Sequence, residues 1–241
     1  CTITQDCKFD RKNYFYPDNP QNYQISQLYL PICRNGHVDV TLSDGTEKTI
    51  RIHEIHMEED AGKLVHDEWE GVSYVDYNRS GVPLIEIVSE PDMRSAEEVI
   101  AYLTKLRTTI QYLGASDCKL QEGSMRADVN LSVRERGSSE FGTRTETKNL
   151  NSFAAIERAI KAETARQIDL IEAGEKVVQE TRRWNDDKEY SYAMRSKEDA
   201  QDYRYFPDPD LVPIHISDEY LAELKAKQPE FKDEKKARYI E

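Results

Sequence analysis

Val75–Asp92 reads VDYNRSGVPLIEIVSEPD, and the short apolar run inside it decides the fold class. Leu84-Ile85-Glu86-Ile87-Val88 is β-branched and bounded by Pro83 and Pro91, so it predicts a buried strand rather than a helix. Glu86 sits among isoleucines, where a carboxylate is costly unless it is paired, hydrogen-bonded or bound to a metal. An ion pair with Arg79 or Arg94 is the plain structural reading.

Upstream, Val38–Leu42 and Lys48–Glu59 alternate apolar and polar residues around Ser43-Asp44-Gly45, which predicts a hairpin. The second run breaks phase. Ile50 and Ile52 share a face while Ile55 and Met57 occupy odd positions, so a bulge near His53-Glu54 is needed to keep all four on the core side. Such a bulge bends the sheet into a concave surface. Glu58 and Glu59 then point to opposite faces, and at most one lines a given site directly. Downstream, Ser95–Leu113 predicts a helix with Ser95 and Glu98 as capping box, an apolar stripe of Val99, Tyr102, Leu103, Leu106, Ile110 and Leu113, and Gly114 as the stop. A second helix runs from about Ser152 to Ala173, with Phe153, Ile156, Ile160 and Ile168 at helical spacing and Gly174 closing it. Strand-like runs cover Ser124–Arg134, Gly142–Asn149 and Lys176–Trp184. Antiparallel strands with inserted helices make an α+β plan. From Ile216 the pattern turns helical and charged, with Ser217 a cap, which puts a boundary near Ile214.

The 241 residues carry 46 acidic and 33 basic side chains, a formal net charge of −13. That balance repels a nucleic-acid backbone on average, so contact with one requires local basic patches. No apolar run reaches the length of a membrane span, and none resembles a signal peptide. Cys1, Cys7, Cys33 and Cys118 form no CxxC pair, which argues for reduced thiols in a cytoplasm-like compartment. The chain opens on Cys1 rather than methionine and its last segment stops at Glu241 without a closing signal, so it reads as a fragment.

The chemistry-bearing residues are carboxylates on strands. Met57–Lys63 (MEEDAGK), Gln121–Ser132 (QEGSMRADVNLS) and Thr145–Ser152 (TETKNLNS) each set acidic residues beside basic or amide groups. By period two, Arg126, Asp128, Asn130 and Ser132 share one face, and Glu146 and Lys148 alternate with Thr145, Thr147 and Asn149. Solvated faces are the common outcome for antiparallel sheets, but repetition across strands points to oxygen ligands suited to Mg²⁺ beside groups suited to phosphate. There is no GxxxxGK[ST] or GxGxxG loop. His53, His56 and His66 are close in sequence, but the bulge separates His53 from His56, which argues against a histidine-only metal site. The runs Asp10–Tyr16, Arg182–Trp184 and Tyr203–Phe206 interleave basic and aromatic residues, as base-stacking surfaces and half-buried strand pairs both do.

Taken in order, KFDRKNYFYPDNPQNYQISQ, HMEEDAGK, VDYNRSGVPLIEIVSEPDMRS, QEGSMRADVN, TETKNLNSF, QETRRW and DYRYFPDPDL resemble the B subunits of the aspartyl/glutamyl-tRNA amidotransferases over nearly the whole chain. The resemblance implies a cradle domain over residues 1–214, built on a curved antiparallel sheet similar to glutamine synthetase-like kinases, and the start of a helical domain at 215–241. It implies a carbon–nitrogen ligase with glutamine as nitrogen donor. ATP phosphorylates the side-chain carboxylate of glutamate or aspartate misacylated on tRNA(Gln) or tRNA(Asn), and ammonia from a glutaminase A subunit displaces the phosphate. Glu59 and Glu146 are the metal ligands so implied, with Asp128 and Glu122 as catalytic neighbours and Lys12, Arg126, Lys148 and Asn151 binding phosphate or substrate. Glu58 and Glu86 take supporting roles. ATP and Mg²⁺ are the implied cofactors. The A subunit, a small C subunit and misacylated tRNA are the implied partners, in a cytoplasmic, bacterial-type heterotrimer with organellar homologues. Members of that family carry an N-terminal Glu-x-His segment and a C-terminal tRNA-gripping domain beyond this stretch, so the 241 residues alone are expected to be inactive and to bind tRNA weakly. The rival class is a non-catalytic scaffold or RNA-binding module.

Overall fold

The computed structural model describes residues 1–67, 69–196 and 202–240; Glu241, where the last segment stops, lies outside them. Over the described residues it is a mixed α/β protein with several antiparallel sheets and no closed barrel. The chain forms two compact units. One comprises Cys1–Asp39, Thr49–Asp92 and Gln201–Gln228, the other Val40–Lys48, Met93–Ala200 and Pro229–Glu241.

In the first unit, β1 (Thr2–Ile3), β5 (Cys33–Thr41), β6 (Glu47–Glu59) and β9 (Pro83–Ser89) form a sheet in the order β1-β5-β6-β9. The expected hairpin turn is present: Leu42 N–H donates to Thr46 O at 2.8 Å, and Asp44 Oδ1 accepts from Thr46 N–H. The expected bulge is present too, because the β6–β9 register passes from Ile52↔Ser89 to Glu54↔Val88 and leaves His53 unmatched. One extra residue reverses the faces beyond it. Ile50 and Ile52 are therefore buried on one side while Glu54, His56 and Glu58 line the other, and Ile55 and Met57 are half-buried. The run Leu84–Val88 is a strand but not a buried one. As the edge strand of its sheet, β9 leaves Ile85 52% exposed and the Glu86 side chain 55% exposed, which removes the burial cost that its sequence implies.

Around that sheet, β3 (Asp10–Asn13) lies between β4 (Tyr23–Ser26) and β14 (Phe206–Pro207), while β15 (Ile214–His215) pairs with β2 (Asp6–Cys7). Asp208 fixes this return of the chain. Its Oδ2 accepts from Arg11 Nε at 2.7 Å, and its Oδ1 accepts from the Asp210 and Leu211 N–H groups. The segment after Ile214 stays tied to the same strands, since Gln5 Nε2 donates to Asp218 at the start of α3 (Asp218–Ala226), which Ser217 caps as expected. β7 (Lys63–Asp67) and β8 (Val72–Asp76) form a separate ribbon.

The second unit is built on α1 (Ala96–Tyr112), α2 (Phe153–Glu172) and the sheet β10-β11-β12-β13, with β10 at Val129–Leu131, β11 at Thr145–Lys148, β12 at Glu180–Asn185 and β13 at Tyr190–Ser196; α4 (Lys232–Ile240) belongs to it as well. Ser95 and Ser152 cap their helices through Glu98 N–H and Ala155 N–H. The expected reciprocal bond is redirected: the Glu98 carboxylate accepts from Arg94 N–H and Lys48 Nζ instead of closing on Ser95. The strand expected over Ser124–Arg134 shrinks to three residues, because the chain before it is drawn into a turn by Ser124 Oγ, which accepts from Lys119 N–H. The sheet also departs from an all-antiparallel plan. β11 and β12 are parallel, joined by α2, whose 20 residues carry the chain back to the end where β11 began.

The buried face of α2 is partly polar. Ile156 and Ile160 are buried as expected, but Glu163 and Gln167 replace Ile168, which is 38% exposed. The reason is backbone satisfaction. Gln167 Oε1 accepts from Val133 N–H and its Nε2 donates to Leu131 O, while Glu163 Oε1 accepts from Thr145 Oγ1 at 2.7 Å and from Arg166. Burial pushes the Glu163 carboxyl up, but the bonds from Arg166, Gln167 and Thr145 outweigh it and hold it below its ordinary 4.5. The stability this contributes is present above pH 4.5 and is lost as the pH falls through the folded value. Glu163→Ala, which removes one partner each from buried Arg182 and Thr145 and the carboxylate that Arg166 grips, is expected to cost on the order of 3 kcal/mol in urea unfolding at pH 7 and less in acid. A variant with an unchanged urea midpoint at pH 7 would show the network to be dispensable.

Candidate functional site

The face of β6 that carries Glu54, His56 and Glu58 holds a group of titratable side chains of which His56 is buried. His56 Nε2 lies 2.6 Å from Glu86 Oε2 and 3.1 Å from Glu58 Oε1, and the ligand atoms of these three residues all fall within 4.8 Å of one another. The β6–β9 register explains the meeting, since His56 sits directly opposite Glu86 and Glu58 follows on the same face. Ser26 Oγ donates to Glu58 at 2.8 Å and Gln24 Nε2 at 3.2 Å, fixing that carboxylate from β4. His56 Nδ1 is buried without a hydrogen bond and has Glu54 at 3.8 Å behind it. A histidine nitrogen and two carboxylate oxygens at this spacing fit one divalent cation, with Glu54 placed to orient the imidazole from behind.

Burial pushes the His56 imidazole down, but the hydrogen bonds to Glu58 and Glu86 and their charges outweigh it and raise its pKa to about 9. At neutral pH the imidazolium is therefore the positive charge that balances the two carboxylates. Two phenols border them. Burial pushes Tyr14 up to about 12, helped by Asp18, and Tyr205 is raised by burial and then by the charge of Glu58. Tyr203 packs edge-on between them at 6.1 and 6.0 Å, and Lys12 Nζ lies 4.8 Å from its ring centroid.

Glu59 points away from this group, as strand alternation requires. Its Oε1 accepts from Ile25 N–H at 2.9 Å and from Gln21, and it lines a polar pocket of about 140 Å³ with Asn19, Gln24, Asp60, Ser80 and Gly81. In the second unit the structure brings three other sequence-derived candidates together. Lys148 Nζ contacts Asp128 Oδ2 at 2.7 Å and Glu146 Oε1 at 3.3 Å, and Thr181 Oγ1 donates to Glu146 Oε2 across the parallel β11–β12 pair. Burial pushes the Lys148 ammonium down, and the charge of Asp128 followed by that of Glu146 raises it. Glu122 lies on an exposed turn with Lys119 Nζ at 2.9 Å. Arg126 is exposed in the stretch leading into β10, and Asn151 is exposed just before the Ser152 cap.

Read from sequence, Glu58 and Glu86 have supporting roles and His56 has none. The signal that joins them is cross-strand register, legible only once the bulge position and the β6–β9 pairing are both fixed. Of the basic-aromatic run Arg182–Trp184, Arg183 is exposed but the other two are committed to the interior: Arg182 is bound to Glu180, Ser191 and Glu163, and Trp184 is 1% exposed with its Nε1 donating to Asp186. Arg11 lies over Tyr23 at 4.2 Å as a strand pair would.

His56 gives a direct test of this geometry. Its NMR titration midpoint in the metal-free protein is expected near 9 and is expected to fall toward the ordinary 6.5 in Glu86→Gln. Because the folded value lies above the ordinary one, the associated stability is complete below pH 6.5 and disappears as the pH rises through about 9. A midpoint that does not move in Glu86→Gln would disprove the pairing.

Residues 1–222 match the family described as the GatB/GatE catalytic domain. A curated relative from Agathobacter rectalis, the B subunit of an aspartyl/glutamyl-tRNA(Asn/Gln) amidotransferase by name, is 78% identical over 239 residues, covering 99% of this chain and 50% of the relative. Relatives of the same name from Lachnoclostridium phytofermentans and Carboxydothermus hydrogenoformans are 70% and 55% identical, each covering 100% of this chain and 50% of its own length. The chain thus spans about half the length of the curated relatives it matches.

Proposed function

The chain belongs to the GatB/GatE catalytic-domain family, and from that premise we propose that it is the phosphorylating part of a tRNA-dependent amidotransferase. In this reading the protein activates the side-chain carboxylate of glutamate on tRNA(Gln), or of aspartate on tRNA(Asn), with ATP. Ammonia released from glutamine by an A subunit then displaces the phosphate. The observation that carries the proposal is the His56–Glu58–Glu86 group, a cation-sized set of ligand atoms on a sheet face in a chain of this family.

An acyl phosphate forms only if the negative charge of the transferring phosphoryl group is neutralised as it moves. Mg²⁺ bound by carboxylates would supply that neutralisation. Glu58 and Glu86 would supply two of the oxygens and His56 a nitrogen, and Ser26 and Gln24 keep Glu58 oriented. Glu59 and Glu146 remain the ligands implied by the family resemblance. Lys148, held beside Asp128 and Glu146, and Lys12, over Tyr203, are the cations assigned to phosphate or substrate, together with Arg126 and Asn151. Burial beside these carboxylates keeps the Tyr14 and Tyr205 phenols protonated at physiological pH. The proposal extends to a curved, glutamine synthetase-like cradle over residues 1–214, for which the β6 bulge is the support, to a small C subunit and to a cytoplasmic setting. No described helix is long and apolar enough to cross a membrane.

The test is formation of labelled acyl phosphate from γ-labelled ATP and misacylated tRNA by the full-length protein assembled with its partner subunits. Glu86→Gln and Glu58→Gln are each expected to lower the rate by about a hundredfold or more, the magnitude of removing a charge-positioning group. Glu59→Gln and Glu146→Gln are expected to do the same. Near-normal rates in all four variants would reject the catalytic reading and favour a scaffold.

A further inference from the structure

In a chain whose acidic residues outnumber its basic ones by 46 to 33, one loop of the second unit runs against the trend. Residues 134–144 (RERGSSEFGTR) connect β10 to β11 and contain Arg134, Arg136 and Arg144 around Phe141. Phe141 is 56% exposed. The Arg134 guanidinium lies 4.7 Å from its ring centroid and that of Arg94 lies 6.0 Å away. Among the described residues, Arg134, Arg136 and Arg144 have no carboxylate within ion-pair distance, whereas Lys148, Arg158, Arg166 and Arg182 of the same unit are paired. Glu135 and Glu140 in the same loop are exposed and leave it a net positive charge.

The loop is held in shape. A Cβ added at Gly142 would sit 2.0 Å from Val133 O, so only glycine lets the two ends of the loop close on each other. Arg134 Nη1 donates to Ser139 O at 2.9 Å, and Ser138 Oγ accepts from Glu140 N–H at 3.1 Å. The aromatic ring is thus presented on a closed loop and backed by guanidinium groups.

An exposed ring backed by arginine, with further unpaired arginines beside it, is the arrangement that binds unpaired nucleotides. The base stacks on the ring, and the phosphates that follow meet the guanidinium groups. Duplex recognition would instead need a longer basic surface, which a chain of this charge does not offer. We propose that Phe141, with Arg134, Arg136 and Arg144, forms a docking patch for a short single-stranded RNA end. This rests on the reading that the protein acts on aminoacylated tRNA, whose reacting group sits at such an end.

The experiment compares binding of an intact tRNA transcript with one lacking its unpaired 3′ nucleotides, across a salt series, to the full-length protein assembled with its partner subunits. Phe141→Ala is expected to weaken the intact RNA by about five- to a hundredfold, the range for losing one stacked base, and to leave the trimmed RNA unaffected; Phe141→Tyr should retain binding. Replacing Arg134, Arg136 and Arg144 with Gln is expected to flatten the salt dependence of intact-RNA binding by about 0.7 for each phosphate no longer neutralised. Four results would overturn the patch: equal binding by wild type and variants, equal losses for both RNAs, dissociation of the partner subunits from the Phe141→Ala protein, or an unchanged salt slope. If the wild-type assembly binds neither RNA, the amidotransferase reading fails along with the patch. If it binds and the variants match it, only the patch fails.

Discussion

The candidate site depends on one unmatched residue. Without His53 standing outside the β6–β9 register, the alternation of β6 would keep Glu54, His56 and Glu58 on the same side as Ile50 and Ile52. Three ionisable groups would then compete with two isoleucines for one apolar face. The bulge separates them, so a single strand contributes to a core at one end and a charged cluster at the other. His56 then meets Glu86 because the register beyond the bulge sets them opposite each other, and the edge position of β9 leaves the Glu86 side chain solvated.

The second unit solves a different problem, again with polar groups. The β11–α2–β12 crossover brings a helix over the sheet, but the facing residues on β11 are Thr145 and Thr147, not aliphatic ones. Glu163 and Gln167 match those hydroxyls and the orphan backbone groups near Leu131 and Val133, and Arg166 and Arg182 balance the carboxylate. Because Thr145 and Thr147 point inward, Glu146 and Lys148 must point outward, where they meet Asp128 and Thr181. The buried polar network and the exposed ionic one are two faces of the same four-residue strand.

What was legible in the sequence was local. Ser95, Ser152 and Ser217 announce helices because a cap acts within three residues, Gly114 and Gly174 stop them for the same reason, and the phase break at His53 is visible as an odd-even shift. The alternation of Thr145, Glu146, Thr147 and Lys148 likewise fixes their faces. Properties that depend on pairing between distant residues were not legible. The burial of Leu84–Val88 was overstated because an edge strand and a central one share the same β-branched composition. The parallel β11–β12 pair was missed because alternation does not encode strand direction. His56 is not marked because its cross-strand partner Glu86 lies thirty residues on, and Phe141 is not because a lone aromatic in a polar loop has no periodicity.

The interleaving of the two units has a consequence for how the chain acquires its structure. Arg11 on β3 reaches its Asp208 clamp 197 positions further along the chain, and β2 finds β15 only when Ile214 is available. During synthesis, the strands that carry His56 and Glu86 therefore emerge long before the segment that brings Tyr205 and the Asp208 clamp. The part of the second unit that carries α1, α2 and β10 to β13 is contiguous from Met93 and precedes that closing piece, whereas α4 follows it. Until that segment emerges, the charged cluster on β6 and β9 lacks the Tyr205 phenol whose pKa its carboxylates raise.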